Sequence, residues 1–149
     1  MFEVDGLNDL LDYMKSLEEV PQRVVTKTAK AGGQILLNEA RIDAPVKSGD
    51  LENGLMLVRN SKSGKGKSFY DVQMNPAMNN TFRSDIKVQG KYGGRFPTGY
   101  YPASMEYGFL TKHGKVEGYH YMKKAATTKE SDVYKTMLLE LSEAIDKLK

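Results

Sequence analysis

Gly66, Lys67 and Ser68 stand in the order in which a phosphate-binding loop closes, with Lys62 and Lys65 just upstream. Such a loop holds phosphate oxygens on backbone amides and a lysine, and it needs a glycine five positions before Gly66 and a helix directly after the serine. Ser61 occupies the glycine's place and 69–74 reads as a strand, so the residues predict a flexible basic loop instead. His113 and His120 are the two histidines, with Glu106 and Glu117 nearby as oxygen donors. Lacking a His-x-x-x-His or cysteine pairing, their spacing fits surface or hydrogen-bonded histidines better than a metal site. Cysteine is absent, which removes thiolate nucleophiles, disulfides and cysteine-bound zinc. No Gly-x-Ser-x-Gly elbow occurs either. These residues predict no cofactor, no metal and no catalytic set, and point away from an enzyme.

Basic and aromatic residues interleave in Lys87, Lys91, Tyr92, Arg95 and Phe96. Such a pattern could meet a phosphate backbone and stack on bases, or supply the tyrosine and arginine that dominate protein interfaces. The net charge of +3 is small for a dedicated DNA-binding domain and favours the protein interface. A nucleic-acid-binding module using loops 61–67 and 87–95 is the alternative. The candidate interface residues are Lys62, Lys65, Lys67, Lys91, Tyr92, Arg95, Phe96, Tyr100, Tyr101 and Glu106. Glu106, beside Tyr107 and Gly108 at a segment end, could cap backbone amides or pair with a basic residue.

The elements that must position these residues follow from periodicity. Leu7, Leu10, Leu11, Met14 and Leu17 predict an amphipathic first helix stopped by Pro21. From there a second helix of about 22 residues carries Val24, Thr28, Ala31, Ile35 and Ile42 on one stripe and ends before Pro45. Gly32 and Gly33 in its middle each cost about 1 kcal/mol relative to alanine, so another element should approach the backbone closely there. Residues 55–58 and 69–74 predict two strands around a mobile 61–67 loop, with an irregular stretch over 75–84. A third strand is expected over 85–89, with Ile86 and Val88 inward, and a fourth extended or mixed segment over 100–107. Val133, Met137, Leu141, Ile145 and Leu148, widened by Leu138 and Ala144, mark a closing helix capped by Thr128 or Ser131. The expected fold class is α+β, an antiparallel sheet of about four strands packed against two N-terminal helices and one C-terminal helix, in one domain over 1–149.

Composition agrees with a chain that folds in water. Its 149 residues are 40% apolar and 28% charged, and no apolar run approaches the roughly 18 residues of a membrane span, so no membrane partner is expected. The acidic opening Met1, Phe2, Glu3, Val4, Asp5 is unlike a secretory signal and predicts cytosolic synthesis. Charge is lopsided: residues 1–20 carry a net −5 and residues 61–100 a net +5. Opposite charges at two ends suit head-to-tail self-association, or two solvated faces. Eight of the fourteen aromatic residues fall within 92–121, so some should pack on the sheet and others be open to a partner.

Three passages, in order, resemble the tail-component or neck family of long-tailed bacteriophages, encoded among the head–tail joining and tail-completion genes. The first is Ala40, Arg41, Ile42, Asp43, Ala44, Pro45 followed by Ser48, Gly49, Asp50, Leu51. The second runs from Tyr100 through Met105, Glu106, Tyr107, Gly108. The third is His120, Tyr121, Met122, Lys123, Lys124, Ala125, ahead of the last helix. His120 and Lys124 stand where the family often has proline, and 75–98 looks like an insertion. The resemblance implies structural roles for Pro45, Gly49, Leu51, Tyr107, Gly108, Tyr121 and Ala125. It also implies a virion protein of the neck or upper tail, made in the host bacterial cytoplasm. Its partners would be sister copies in a ring, a hexamer, with the head-closure or connector protein and the tail-tube or tail-terminator protein. Transient contact with packaged DNA would occur in the channel.

Overall fold

The computed structural model describes residues 22–83 and 99–147. The helix expected over 7–17 and the strand expected over 85–89 lie outside them, as do Lys91, Tyr92, Arg95 and Phe96. In order, the chain forms α1 (Gln22–Asp43), α2 (Asp50–Gly54), β1 (Leu55–Arg59), β2 (Tyr70–Met74) and a 3-10 turn (Pro76–Met78). Then come α3 (Asn79–Phe82), α4 (Tyr101–Tyr107), β3 (Gly108–Thr111), β4 (Gly114–Glu117) and α5 (Tyr121–Asp146). The fold is α+β. Its described strands form two antiparallel ribbons, β1–β2 and β3–β4, and the expected four-stranded sheet is not seen among the described residues.

Helices α1 and α5 make the frame and run antiparallel, since Lys27 pairs with Glu140 at 3.0 Å while Glu39 meets Lys129 at 3.8 Å. Partly exposed pairs of this kind mark register more than they stabilise. Stability comes from close packing at the two helix glycines. A methyl group on Gly32 would come within 2.8 Å of Met137 Sδ on α5, and one on Gly33 within 2.7 Å of Leu57 Cδ1 on β1. The expected close approach therefore occurs twice, on two faces of one helix, and it offsets the helix cost of both glycines.

The core gathers at the far end of α1. Leu37, Ala40 and Ala44 meet Leu51, Leu55, Phe82, Tyr121 and Ala125, all at most 4% exposed. Each large apolar side chain there contributes about 1.5–3 kcal/mol by leaving water. The passage between α1 and α2 does the structural work its residues suggest. Ala44 N–H still donates to Ala40 O at 3.0 Å, Pro45 follows, Gly49 turns the chain at a φ of 81°, and Leu51 drops into the core.

Several boundaries differ from expectation. Ile42 and Leu138 are 74% and 49% exposed. At successive steps of 100° the buried stripes pass through Ala40–Ala44 and Val133–Met137, leaving these two residues rotated outward. Residues 101–107 are helical, with Pro102 in the first turn, where its missing N–H costs nothing. The stretch 75–84 contains the 3-10 turn and α3, with Asn75 capping Ala77 N–H at 3.0 Å. Helix α5 begins at Tyr121, ahead of both expected caps, so the third family-like passage lies in its first turns.

Candidate functional site

Helix α5 starts without a cap of its own. His120 precedes it in the left-handed region, at φ 51° and ψ 39°, and its side chain accepts nothing. The first amides of a helix still require acceptors. Glu106, near the end of α4, supplies them from sixteen and seventeen residues upstream. Its carboxylate accepts from Met122 N–H at 2.9 Å and from Lys123 N–H at 3.1 Å, and its own carbonyl accepts from His120 N–H at 3.1 Å. Negative charge at a helix N-terminus is favourable, and Glu106 sits there at 5% exposure. Of the two roles open to Glu106 in the sequence, it takes that of an amide cap. It is consequently not a surface interface residue, a correction with a plain cause: its oxygens are committed inside the chain.

Two glycines let the backbones cross at this joint. Gly108 adopts φ 83° and ψ −179°, a region left almost entirely to glycine, and an added Cβ would sit 2.2 Å from Val116 O. Gly118 is equally confined, its Cβ falling 2.2 Å from Glu106 O. Tyr119 N–H then donates to Met105 O at 2.7 Å and locks the crossing. Beyond it projects the β3–β4 ribbon, in register Gly108↔Glu117, Phe109↔Val116, Leu110↔Lys115 and Thr111↔Gly114. Among the described residues, neither of its faces is covered. Leu110 is 83% exposed and Tyr107 71%, with Phe109, Val116 and Tyr119 also open to solvent.

Tyr121 lies beneath the joint at 1% exposure and donates to Pro102 O at 3.4 Å. Burial, with the Glu106 charge adding to it, pushes its phenol up from 10.0 to about 12. The folded state therefore favours the neutral phenol, and the associated stability is complete below pH 10 and disappears as pH rises through about 12. Tyr121→Phe is expected to cost under about 1 kcal/mol at neutral pH, because the hydrogen bond lost is long, and to flatten the alkaline decline. Melting curves of the two proteins against pH check this. Parallel alkaline limbs would show that Tyr121 ionises freely.

The 61–67 loop is more ordered than its composition predicts. Lys65 and Gly66, at φ 47° and 78°, are the two central residues of a tight turn between Gly64 and Lys67, which bridge at 2.8 and 3.0 Å. Positive φ at both positions is the hairpin-matching geometry in which glycine is favoured. That explains the Gly-Lys-Gly-Lys run without phosphate. Ser63 Oγ bonds Phe69 in both directions, and Gln22 at the start of α1 accepts from Gly66 N–H at 2.7 Å while donating to Lys67 O at 2.9 Å. A polar side chain thus anchors a loop that has no apolar anchor. Lys62, Lys65 and Lys67 remain exposed on it. Gln22→Ala should release the turn at a cost of about 1 kcal/mol and speed tryptic cleavage at these lysines. Unchanged cleavage would mean that the turn holds itself.

The remaining candidates separate cleanly. Tyr100 and Tyr101 pack half-buried against the core, and Tyr100 sets its ring edge-on to Phe82 at 6.0 Å while donating to Asn79 Oδ1 at 3.2 Å. Leu51, Tyr121 and Ala125 are core, and Gly108 is the joint; Tyr107 faces solvent. The ribbon's Phe109, Leu110 and Val116 were not among the sequence candidates. A sequence signal existed in Thr111 and Gly114 flanking a two-residue turn, but strands of four residues show too little alternation to declare themselves. Among the described residues no cluster of three metal-ligating side chains occurs, and no helix is long and apolar enough to cross a membrane. No protein-family model, curated protein or solved structure matches the chain. What it does has to be read from its own residues and geometry.

Proposed function

We propose that this protein is a structural component of a bacteriophage particle, acting by assembly at the head–tail junction and not by catalysis. Copies would form a ring, six-fold, around the DNA channel and join the head-closure complex to the tail tube at the neck or upper tail. The three family-like passages support this reading. The observation that carries it is the exposed apolar ribbon held on a rigid joint, because Glu106, Gly108 and Gly118 fix the direction of a surface that no other described residue buries. Exposed apolar patches presented in this way characterise interaction sites. Electron microscopy of purified particles and light scattering of the protein with its neighbouring gene products test the proposal. Rings and a virion location are expected; a strict monomer absent from particles would refute it.

One observation favours a second reading, a nucleic-acid-binding module. Gln22 anchors the tight turn of the loop that carries the exposed Lys62, Lys65 and Lys67, so three cations share one ordered loop. Binding to duplex DNA titrated against salt decides it: three or more phosphate contacts would give a logarithmic slope of about −3 or steeper, and no binding at low salt removes it.

A further inference from the structure

Two backbones meet flush at the joint, and the residues next to their glycines carry rings. An added Cβ on Gly118 would fall 2.6 Å from Glu106 C and 2.6 Å from Gly108 N, the atoms on either side of Tyr107. Tyr107 and Tyr119 are therefore neighbours across the crossing, which the bond from Tyr119 N–H to Met105 O holds in place. Both stand in solvent, in contrast to the buried Tyr121. Helix α5 starts at the same place. Lys123 N–H bonds the Glu106 carboxylate and Lys124 N–H bonds His120 O at 2.8 Å, so two exposed lysines leave the chain within a turn of the tyrosines. Among the described residues the lysines in ion pairs are Lys27, Lys115 and Lys129; Lys112, Lys123 and Lys124 are in none. Residues 107–126 contain four lysines against a single carboxylate, Glu117, which Lys115 holds at 2.9 Å. Glu106 offers no further acid, because its oxygens cap α5.

We infer that this joint binds single-stranded nucleic acid, with bases stacked on Tyr107 and Tyr119 and phosphates drawn to Lys123 and Lys124. Lys112, at the tip of strands only about 13 Å long, extends the cationic track. Proteins that take single strands without regard to sequence combine these two elements, cations that follow the backbone and rings on which bases stack. The unpaired positive charge selects a polyanion over an apolar partner. The rings select unpaired bases over a duplex, whose bases are already stacked on one another. Rings carried on a fixed crossing also lose little freedom when a base settles on them. The inference does not rest on the assembly reading, since Leu110 and the Phe109–Val116 pair take no part in it. It is also separate from the 61–67 loop. Gln22 ties that loop to the start of the 22-residue α1, whereas Ala44, just past its end, meets Tyr121 and Ala125 in the core under the joint. The two basic sites thus lie about 30 Å apart.

The full-length protein tests this with a labelled oligothymidylate of about 20 nucleotides, read by fluorescence anisotropy. At about 50 mM salt a Kd at or below about 10⁻⁴ M is expected, with a logarithmic salt slope of about −2 for three phosphate contacts. The chain has nine tyrosines and no tryptophan, so quenching of tyrosine emission reports the stacking directly. Two further probes leave the protein unaltered. An abasic strand of the same length and a duplex of the same length should each bind about tenfold more weakly or worse. Tyr107→Ala with Tyr119→Ala should raise the Kd about tenfold or more at an unchanged melting temperature, since both rings are exposed. Lys123→Glu with Lys124→Glu should raise it as much and make the salt slope shallower by about 1.4. Replacing Lys62, Lys65 and Lys67 with alanine should leave it within about twofold, the two sites being independent. No binding at low salt, or equal affinity for the abasic strand or the duplex, would overturn the inference. So would binding that the loop variant abolishes and the joint variants keep, which would move the contact to the 61–67 loop. Each of these results leaves the assembly reading to be decided by whether particles contain the protein.

Discussion

Glu106→Ala is expected to lower the melting temperature by about 5–15 °C, a loss of about 2–4 kcal/mol. The figure follows from what the carboxylate does. It receives two amides at the start of the 26-residue helix α5, and at 5% exposure no water can easily replace it. Truncation leaves Met122 and Lys123 N–H without acceptors, each costing about 1–3 kcal/mol if it stays buried, and removes a negative charge from the helix N-terminus. Glu106→Gln separates the two contributions. It keeps the shape and one acceptor oxygen but turns an NH2 group toward the second amide, so it should fall between wild type and alanine. Differential scanning calorimetry of the three proteins measures this, with amide exchange in the first turn of α5 as a local readout. A melting point for Glu106→Ala within a degree or two of wild type would show that the helix start does not depend on this cap.

The same residue shows how far the sequence could be read. Helix α1, its end at Pro45, the turn at Gly49, the plug at Leu51 and the strands around 55–59 and 70–74 are local matters, written in periodicity and in proline and glycine, and they lie close to where those signals put them. The close approach at Gly32 and Gly33 was legible too, because two glycines inside a helix demand a reason. The start of α5 was not. Its cap comes from Glu106, whereas a cap search looks within three residues of the helix and stops at Thr128 or Ser131. Between 121 and 130 the residues are mostly polar because that part of α5 buries little beyond Tyr121 and Ala125, so no stripe marks it. The ribbon escaped for the opposite reason. Its apolar residues face solvent, and patterning that records a chain's own core does not register side chains kept for something else.

Gly118→Ala should be among the most damaging small substitutions in the described part of the chain, at about 3–5 kcal/mol and a melting point lower by roughly 10–20 °C. An added methyl would lie 2.2 Å from Glu106 O and 2.6 Å from Gly108 N, both backbone atoms that no rotamer change can move aside. Relief requires the two crossing segments to part. That would break the bonds from Tyr119 N–H to Met105 O and from His120 N–H to Glu106 O, and carry the Glu106 carboxylate away from α5. Gly32→Ala provides the contrast. There the obstacle is the flexible thioether of Met137, and the gain in helix propensity of about 1 kcal/mol can offset the adjustment. Near-equal melting points for the two alanine variants would contradict a rigid crossing. A stricter outcome comes from combining substitutions. If Gly118 and Glu106 hold one joint, Gly118→Ala with Glu106→Ala should cost well below the sum of the two alone, because the first change already dismantles what the second removes. Strict additivity would mean that the crossing and the cap stand independently, and the ribbon's fixed direction would then need another source.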